Sequence, residues 1–332
     1  MNQLAFIGCA HIHTPGFIKA IQRRSSELMV KSVWDHDASR GQHRADELGA
    51  RFIGDLKTIL ADPEISAVVI CSETDRHQDL VLATVEAQKK LLFVEKPLGM
   101  GANDGYAMAD VIERAGATFQ TGYMVRGGPM VNFIRDHVKR GTFGKVTRVR
   151  GSNCHSGALG GWFDTEWRWM ADPKQAGVGA FGDLGTHLLD IMIWTMGEVS
   201  EATAMLDNGT ARYPDCDETG EGLLRFKSGA IGTLAAGWDD VANPVFLMLS
   251  GTEGHAAIID MKLYVTSKKL GSDGTKPWTD LPPEKPAGFE AFLDAATGKP
   301  AELVTAREAA YRSAVMEAMY EGARRRSWVT PA

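Results

Sequence analysis

The chain has 332 residues, 44% of them hydrophobic and 23% charged, which suits a globular protein of two domains better than one. A formal net charge of −6 implies no strongly basic surface and argues against nucleic acid as a partner. The four cysteines, Cys9, Cys71, Cys154 and Cys216, form no C-x-x-C pair, which argues against a disulfide framework or a cysteine zinc site and fits a reducing, cytoplasmic compartment.

At the N-terminus no basic stretch precedes a long apolar run, so no signal peptide is expected. No apolar run approaches the roughly 20 residues of a membrane helix, so no membrane partner is expected either. Short apolar runs at residues 4–7, 29–34, 67–71 and 91–94 alternate with helical periodicity, as at 17–24 and 80–88. This alternation predicts a parallel sheet covered by helices over residues 1–122, because strands buried on both faces are continuously apolar.

After about residue 122 the pattern changes. Residues 146–151, 222–226, 230–236 and 245–249 read as strands, with a hairpin at Lys227-Ser228-Gly229, and predict a mainly antiparallel sheet in a second α+β domain, 123–332. Helices are expected near 129–140, 183–196 and 306–325, and residues 267–288 read as a surface loop.

The first strand runs into Gly8-Cys9-Ala10-His11-Ile12-His13, followed by Thr14-Pro15-Gly16. A glycine turn into a helix offers backbone N–H groups and the helix dipole to a pyrophosphate, usually as G-x-G-x-x-G. Only the first glycine of that pattern is present; Ala10 takes the second position, and His11 and His13 face cofactor or substrate, or merely decorate a polar loop. Thr14 is expected as the helix N-cap, with Pro15 at the first helical position. Asp35, at the end of the second strand, suits the hydroxyls of an adenosine ribose and repels a 2′-phosphate, which favours NAD; Arg40 nearby keeps NADP open.

Val94-Glu95-Lys96-Pro97-Leu98 resembles the signature of the glucose–fructose oxidoreductase, inositol dehydrogenase and MocA family. The approach to it resembles that family too, through Asp62-Pro63, Val68-Val69-Ile70, His77 and Ala87. So does Gly177-Val178-Gly179 through Asp183-Leu184-Gly185-Thr186-His187 and Asp190, as do Ser250-Gly251-Thr252-Glu253-Gly254 and the final helix with Trp328-Val329. Two departures stand out: the degenerate glycine loop, and Ser72-Glu73-Thr74-Asp75 where the family has T-P-x-x beside the cofactor. The resemblance implies a Rossmann-type doubly wound sheet followed by an α+β domain with a large, open, mainly antiparallel sheet. It implies an NAD(P)-dependent oxidoreductase acting on a hydroxyl or ketone of a sugar, polyol or derivative, and a homo-oligomer, dimer or tetramer.

A hydroxyl must lose its proton to give up hydride, so the reaction needs a base and a polarising group. Lys96 follows a parallel strand at the edge where open α/β sheets bind ligands. Asp183 and His187, spaced i and i+4, share a helix face, and a carboxylate can fix an imidazole's tautomer. The resemblance implies His187 as proton shuttle, Asp183 as orienter and substrate ligand, and Lys96 as polariser, with Lys96 and His187 able to exchange roles. Gly8, Ala10, His11, His13, Asp35, Ser72, His77, Glu95 and Lys96 are the expected cofactor contacts. Tyr123, Arg126, His155, Trp162, Asp164, Trp167 and Arg168 are candidates for the substrate pocket, since aromatic faces stack on sugar C–H surfaces and Arg126 and Arg168 suit an anionic sugar. Asp183 and His187 lack further ligands for a metal, and no metal site is expected in the chain. Two other readings stay open: an enzyme that recycles tightly held NAD while cleaving a glycoside, and a non-catalytic dinucleotide- or sugar-binding regulator.

Overall fold

A computed structural model describes residues 2–332. In chain order the elements are β1 (Asn2–Cys9), α1 (Thr14–Arg23), β2 (Leu28–Trp34), α2 (Ala38–Leu48), β3 (Arg51–Phe52), α3 (Leu56–Ala61), β4 (Ile65–Cys71), α4 (His77–Glu86), β5 (Leu91–Val94), α5 (Ala102–Arg114) and β6 (Thr118–Thr121). They continue with α6 (Pro129–Lys139), β7 (Val146–Cys154), α7 (Pro173–Ala176), α8 (Ala180–Met196), β8 (Val199–Asp207), β9 (Thr219–Phe226), β10 (Ile231–Gly237) and β11 (Val245–Gly251). The last are β12 (Gly254–Ile259), β13 (Lys262–Ser267), β14 (Ser272–Pro277), α9 (Phe289–Ala296) and α10 (Ala306–Arg325).

The chain forms two compact units, each assembled from separated segments. The first comprises residues 2–123, Asp164–Gly177 and Pro286–Ser313. Its sheet has the order β3-β2-β1-β4-β5-β6, with every neighbouring pair parallel. This is the doubly wound dinucleotide-binding order, in which ligands gather beyond the carboxyl ends of the strands. The apolar runs expected as strands are β1, β2, β4 and β5; β1, β4 and β5 are buried on both faces over most of their length, whereas β2 leaves Met29 exposed and Lys31 half-buried. Two apolar clusters cover the sheet. In one, Phe289 of α9 stacks on Phe17 of α1 at 4.2 Å and meets Phe93 of β5 edge-on at 5.0 Å. In the other, Val304, Ala306, Ala309 and Ala310 pack with Leu80, Val81, Met108 and Ile112.

The second unit comprises Met124–Phe163, Val178–Lys285 and Ala314–Ala332. Its eight-stranded sheet runs β14-β13-β12-β11-β7-β10-β9-β8. All neighbours are antiparallel except β7 and β10, which pair in parallel because α8 and β8–β9 intervene between them in the chain. The hairpin at Lys227-Ser228-Gly229 joins β9 to β10 as expected. Alternating burial along β9 leaves Leu223 and Arg225 outward while Gly222 and Leu224 face inward; a Cβ at Gly222 would lie 3.0 Å from the Phe181 ring of α8. One face of the sheet is therefore covered by α8 and the other is open.

Two local expectations are corrected. Residues 267–288 are not all loop: β14 adds an edge strand there through backbone pairing with β13. The N-cap of α1 is His13, not Thr14; Thr14 opens the helix with its side chain buried, Pro15 sits in the first turn, and no side chain caps the helix. Among the described residues no helix is long and apolar enough to cross a membrane.

Candidate active site

In the first unit, β1 ends in a turn that only glycine fits. Gly8 has φ of +81°, and a Cβ there would lie 2.5 Å from Cβ of Ser72 on the neighbouring strand's exit. The loop that follows is pinned from two sides: the His11 amide donates to the Cys71 carbonyl at 2.9 Å, and the Trp169 indole N–H donates to the Ala10 carbonyl at 3.1 Å. At the first turn of α1 the His13 amide donates to His11 Nδ1 at 3.2 Å, the Thr14 amide donates to the His11 carbonyl at 2.9 Å and Pro15 carries no N–H, so Gly16 is the first-turn donor left to face an anion. These residues fit a dinucleotide, whose nicotinamide accepts or supplies hydride when bound.

Asp35 is buried at the end of β2. Its Oδ2 accepts the Cys9 amide at 2.7 Å and its Oδ1 the Asp37 amide at 2.9 Å. Arg40 binds both oxygens, at 2.8 and 2.6 Å, and reaches Glu73 Oε1 at 3.0 Å. Arg76 also stands 3.7 Å from Glu73, so two guanidiniums meet two carboxylates here, and the group that opposes a 2′-phosphate is Asp35 itself at the end of β2. The capping aspartate of α2 is Asp37, which accepts the amides of Ser39 and Arg40. Glu73, in the segment that departs from the family pattern, was not anticipated as a partner of Arg40.

Glu95 and Lys96 leave β5 at the carboxyl edge of the same sheet, both buried. Glu95 Oε2 accepts the Lys96 amide at 2.6 Å, and a Cβ at Gly122 would lie 2.5 Å from that oxygen, so the carboxylate fits only against a glycine. Burial opposes ionisation of Glu95, but the charges of His11 and His13 prevail and hold its carboxyl below the usual range. His77 is fully buried; its Nδ1 lies 3.1 Å from the Leu98 carbonyl, and burial pushes its pKa down, so the ring is a neutral donor bracing the turn after Lys96. Ser72 is likewise buried, donating to the Glu73 carbonyl at 3.1 Å. Tyr123 sits in the apolar cluster of this unit. Trp167 is half-buried and Arg168 exposed, while Trp169 is the tryptophan of this segment that braces the loop between β1 and α1.

In the second unit, Asp183 and His187 lie one turn apart on α8, both buried. The indole N–H of Trp238, itself fully buried, donates to Asp183 Oδ2 at 3.2 Å. Trp238 follows β10 and packs on Phe163 at 4.1 Å; its only sequence signal was its place after the last residue of a strand. Asp190 takes Arg126 in a two-pronged ion pair at 2.8 and 2.6 Å, so that guanidinium serves the α8 scaffold. His155 and Trp162 come together, ring centroids 4.6 Å apart, and Trp162 is 44% exposed. Asp164, expected near them, falls in the first unit and is exposed.

Residues 3–123 match the model of the oxidoreductase family with an NAD-binding Rossmann fold, and residues 131–257 match the GFO/IDH/MocA C-terminal domain. The chain belongs to the GFO/IDH/MocA family. It is 25% identical over 224 residues to levoglucosan dehydrogenase of Pseudarthrobacter phenanthrenivorans, covering 60% of this chain and 57% of that one. To myo-inositol 2-dehydrogenase of Thermotoga maritima it is 29% identical over 216 residues, covering 63% and 60%. To 1,5-anhydro-D-fructose reductase of Ensifer adhaerens it is 25% identical over 258 residues, covering 76% and 74%. The chain thus matches about three fifths of the length of the first two. The fold as a whole is shared with an NAD-binding oxidoreductase from Klebsiella pneumoniae, TM-score 0.81 at 22% identity and 99% coverage of both chains. It is also shared with the WlbA dehydrogenase of Bordetella pertussis, TM-score 0.83 at 18% identity, covering 100% of this chain and 99% of that one.

Proposed function

We propose that the protein is a dehydrogenase or reductase that passes a hydride between NAD and a hydroxyl or ketone carbon of a sugar, polyol or sugar derivative. The observation that carries this reading is the buried carboxylate and imidazole of Asp183 and His187 on α8, within the segment that matches the family's C-terminal domain, in a chain that keeps Lys96 in the segment matching the NAD-binding domain. The names of the relatives support the substrate class: they act on levoglucosan, myo-inositol and 1,5-anhydro-D-fructose.

In oxidation, His187 takes the hydroxyl proton as the carbinol C–H leaves as hydride. Lys96 donates to the carbinol oxygen, which becomes the carbonyl. Asp183, held by Trp238, orients the imidazole and binds a neighbouring hydroxyl. In reduction the proton travels back from His187 to the oxygen. His155 and Trp162 offer a ring surface for the sugar's C–H face. The engagement of Arg126 by Asp190 favours a neutral sugar over an anionic one. The open face of the eight-stranded sheet, with Leu223 and Ile231 exposed, supports a homo-oligomer formed through it.

The test is turnover with NAD and NADP against a panel of sugars, polyols and anhydro-sugars, read at the NADH absorbance band. Oxidation of one sugar class by the wild type, lost in Lys96→Ala and His187→Ala proteins that still bind NADH, is the expected result. Unchanged turnover in Lys96→Ala would overturn the reading. A monomeric mass by light scattering at micromolar concentration would overturn the oligomer.

A further inference from the structure

Three side chains of metal-binding type meet inside the first unit; the sequence marks them as cofactor contacts, and none carries a proton or hydride in the reading above. His11 and His13 lie on the loop between β1 and α1, and Glu95 follows β5. In the sheet β1 and β5 flank β4, so both loops emerge at the carboxyl edge on either side of one strand. His13 Nδ1 is 2.9 Å from Glu95 Oε1, and His11 Nδ1 is 3.8 Å from the same oxygen. One ligand atom from each of the three lies within 4.8 Å of the other two. Donors about 2.0–2.2 Å from a tetrahedral zinc ion stand about 3.3 Å apart, so the two distances to Oε1 bracket that spacing.

The chemistry of the set also suits a cation. Glu95 is 0% exposed and His11 2%, so the carboxylate cannot draw its countercharge from water. His11 Nδ1 accepts the His13 amide at 3.2 Å, so the neutral ring carries its proton on Nε2 and the lone pair now shared with that amide is the one a metal ion would take. A cation bound here would replace the proton that His13 Nδ1 shares with Glu95 Oε1 across 2.9 Å. The ring of His13 is 28% exposed, so the open side of the set faces water, which can complete the coordination.

We propose that His11, His13 and Glu95 bind one divalent metal ion. Two imidazole nitrogens and one carboxylate oxygen form a borderline donor set, suited to zinc and its first-row neighbours and poorly suited to magnesium or calcium, which take oxygen ligands. The site stands apart from the hydride reading and survives that reading's failure.

The test uses the tag-free full chain, stripped with a chelator and dialysed. Zinc is then titrated with bound metal counted by mass spectrometry, and cobalt(II) is titrated as a visible-absorption probe. The expected result is one equivalent of either ion, with d–d bands of four- or five-coordinate cobalt. His13→Ala and Glu95→Gln should each lower the affinity by at least about 10-fold. Circular dichroism checks that each variant is folded. If Glu95→Gln fails to fold, His13→Ala decides, because its ring lies at the solvent side. Two results overturn the proposal: no metal retained by the wild type above the level of His13→Ala, or a full equivalent retained undiminished by folded His13→Ala.

Discussion

Both carboxylate oxygens of Asp35 are held by one guanidinium, Arg40 Nη2 standing 2.6 Å from Oδ1 and Nε 2.8 Å from Oδ2. Sequence reasoning sets these residues against each other, Asp35 for NAD and Arg40 for NADP. In the structure they are partners, with Glu73 as a second acid on the same cation. The wild type is therefore expected to prefer NAD. Asp35→Ser should release Arg40 toward a 2′-phosphate and raise the NADP-to-NAD ratio of kcat/KM by about 10- to 100-fold, the worth of one charge-assisted hydrogen bond of about 1.5–3 kcal/mol. Steady-state kinetics with both cofactors measures it, and an unchanged ratio would show that Arg40 stays with Glu73.

Removing a general acid or base costs about 10²–10⁴-fold in rate. His187→Ala and Lys96→Ala are each expected to lose kcat on that scale while NADH affinity, read by fluorescence titration, stays within about 3-fold for His187→Ala. A His187→Ala enzyme with normal kcat would make the imidazole structural.

Trp238→Phe takes the indole donor from Asp183 and leaves a buried carboxylate oxygen short of a hydrogen bond. Such a loss costs about 1–3 kcal/mol of stability. Chemical denaturation should show that drop. Asp183 held less firmly should also lower kcat more than it raises KM, and a variant with wild-type stability and kcat would remove Trp238 from its positioning role.

The cap of α2 gives a pH-dependent prediction. The Arg40 amide, together with the Ser39 amide, holds the Asp37 carboxyl below its ordinary value of 3.8. A depressed pKa contributes stability that is present above the unfolded value and lost as pH falls through the folded one. Asp37→Ala should therefore cost about 0.5–2 kcal/mol at neutral pH. The two proteins should converge as pH drops below 3.8. Denaturation curves at pH 7 and pH 3 check it; an equal difference at both would mean that the charge of the cap is irrelevant.

How far the sequence is legible depends on what holds each element. The strands β1, β4 and β5 are visible because burial on both faces makes them largely apolar, and β2 is visible despite Lys31 and Ser32 through the apolar residues on either side of them. The strand β6 reads Thr-Phe-Gln-Thr and escapes notice because Gln120 is buried for a tertiary reason: its Oε1 accepts the Val304 amide at 2.9 Å. The edge strand β14, Ser-Asp-Gly-Thr-Lys-Pro, has no apolar face and is held by backbone pairing. In the site, Lys96, Asp183 and His187 stand out through motif spacing. Trp169, Trp238 and Glu73 do not, because their roles come from hydrogen bonds to partners distant in sequence. The two loop histidines were expected to face cofactor or substrate, or to decorate a polar loop; the contact of His13 with Glu95 joins residues 82 positions apart, which no local pattern encodes.

The first unit is also not finished when its sixth strand has been made. Phe289 and Phe292, which cover Phe17 and Phe93, and Trp169, which pins the loop between β1 and α1, all arrive later in the chain. During synthesis the parallel sheet must therefore wait, half-clad, until nearly the whole polypeptide has left the ribosome. Each aromatic ring left uncovered forgoes about 1.5–3 kcal/mol. A gene cut after codon 123 should accordingly yield an aggregating fragment, and one supplied with residues 286–313 on a short linker should recover solubility, which sedimentation of the two products would reveal.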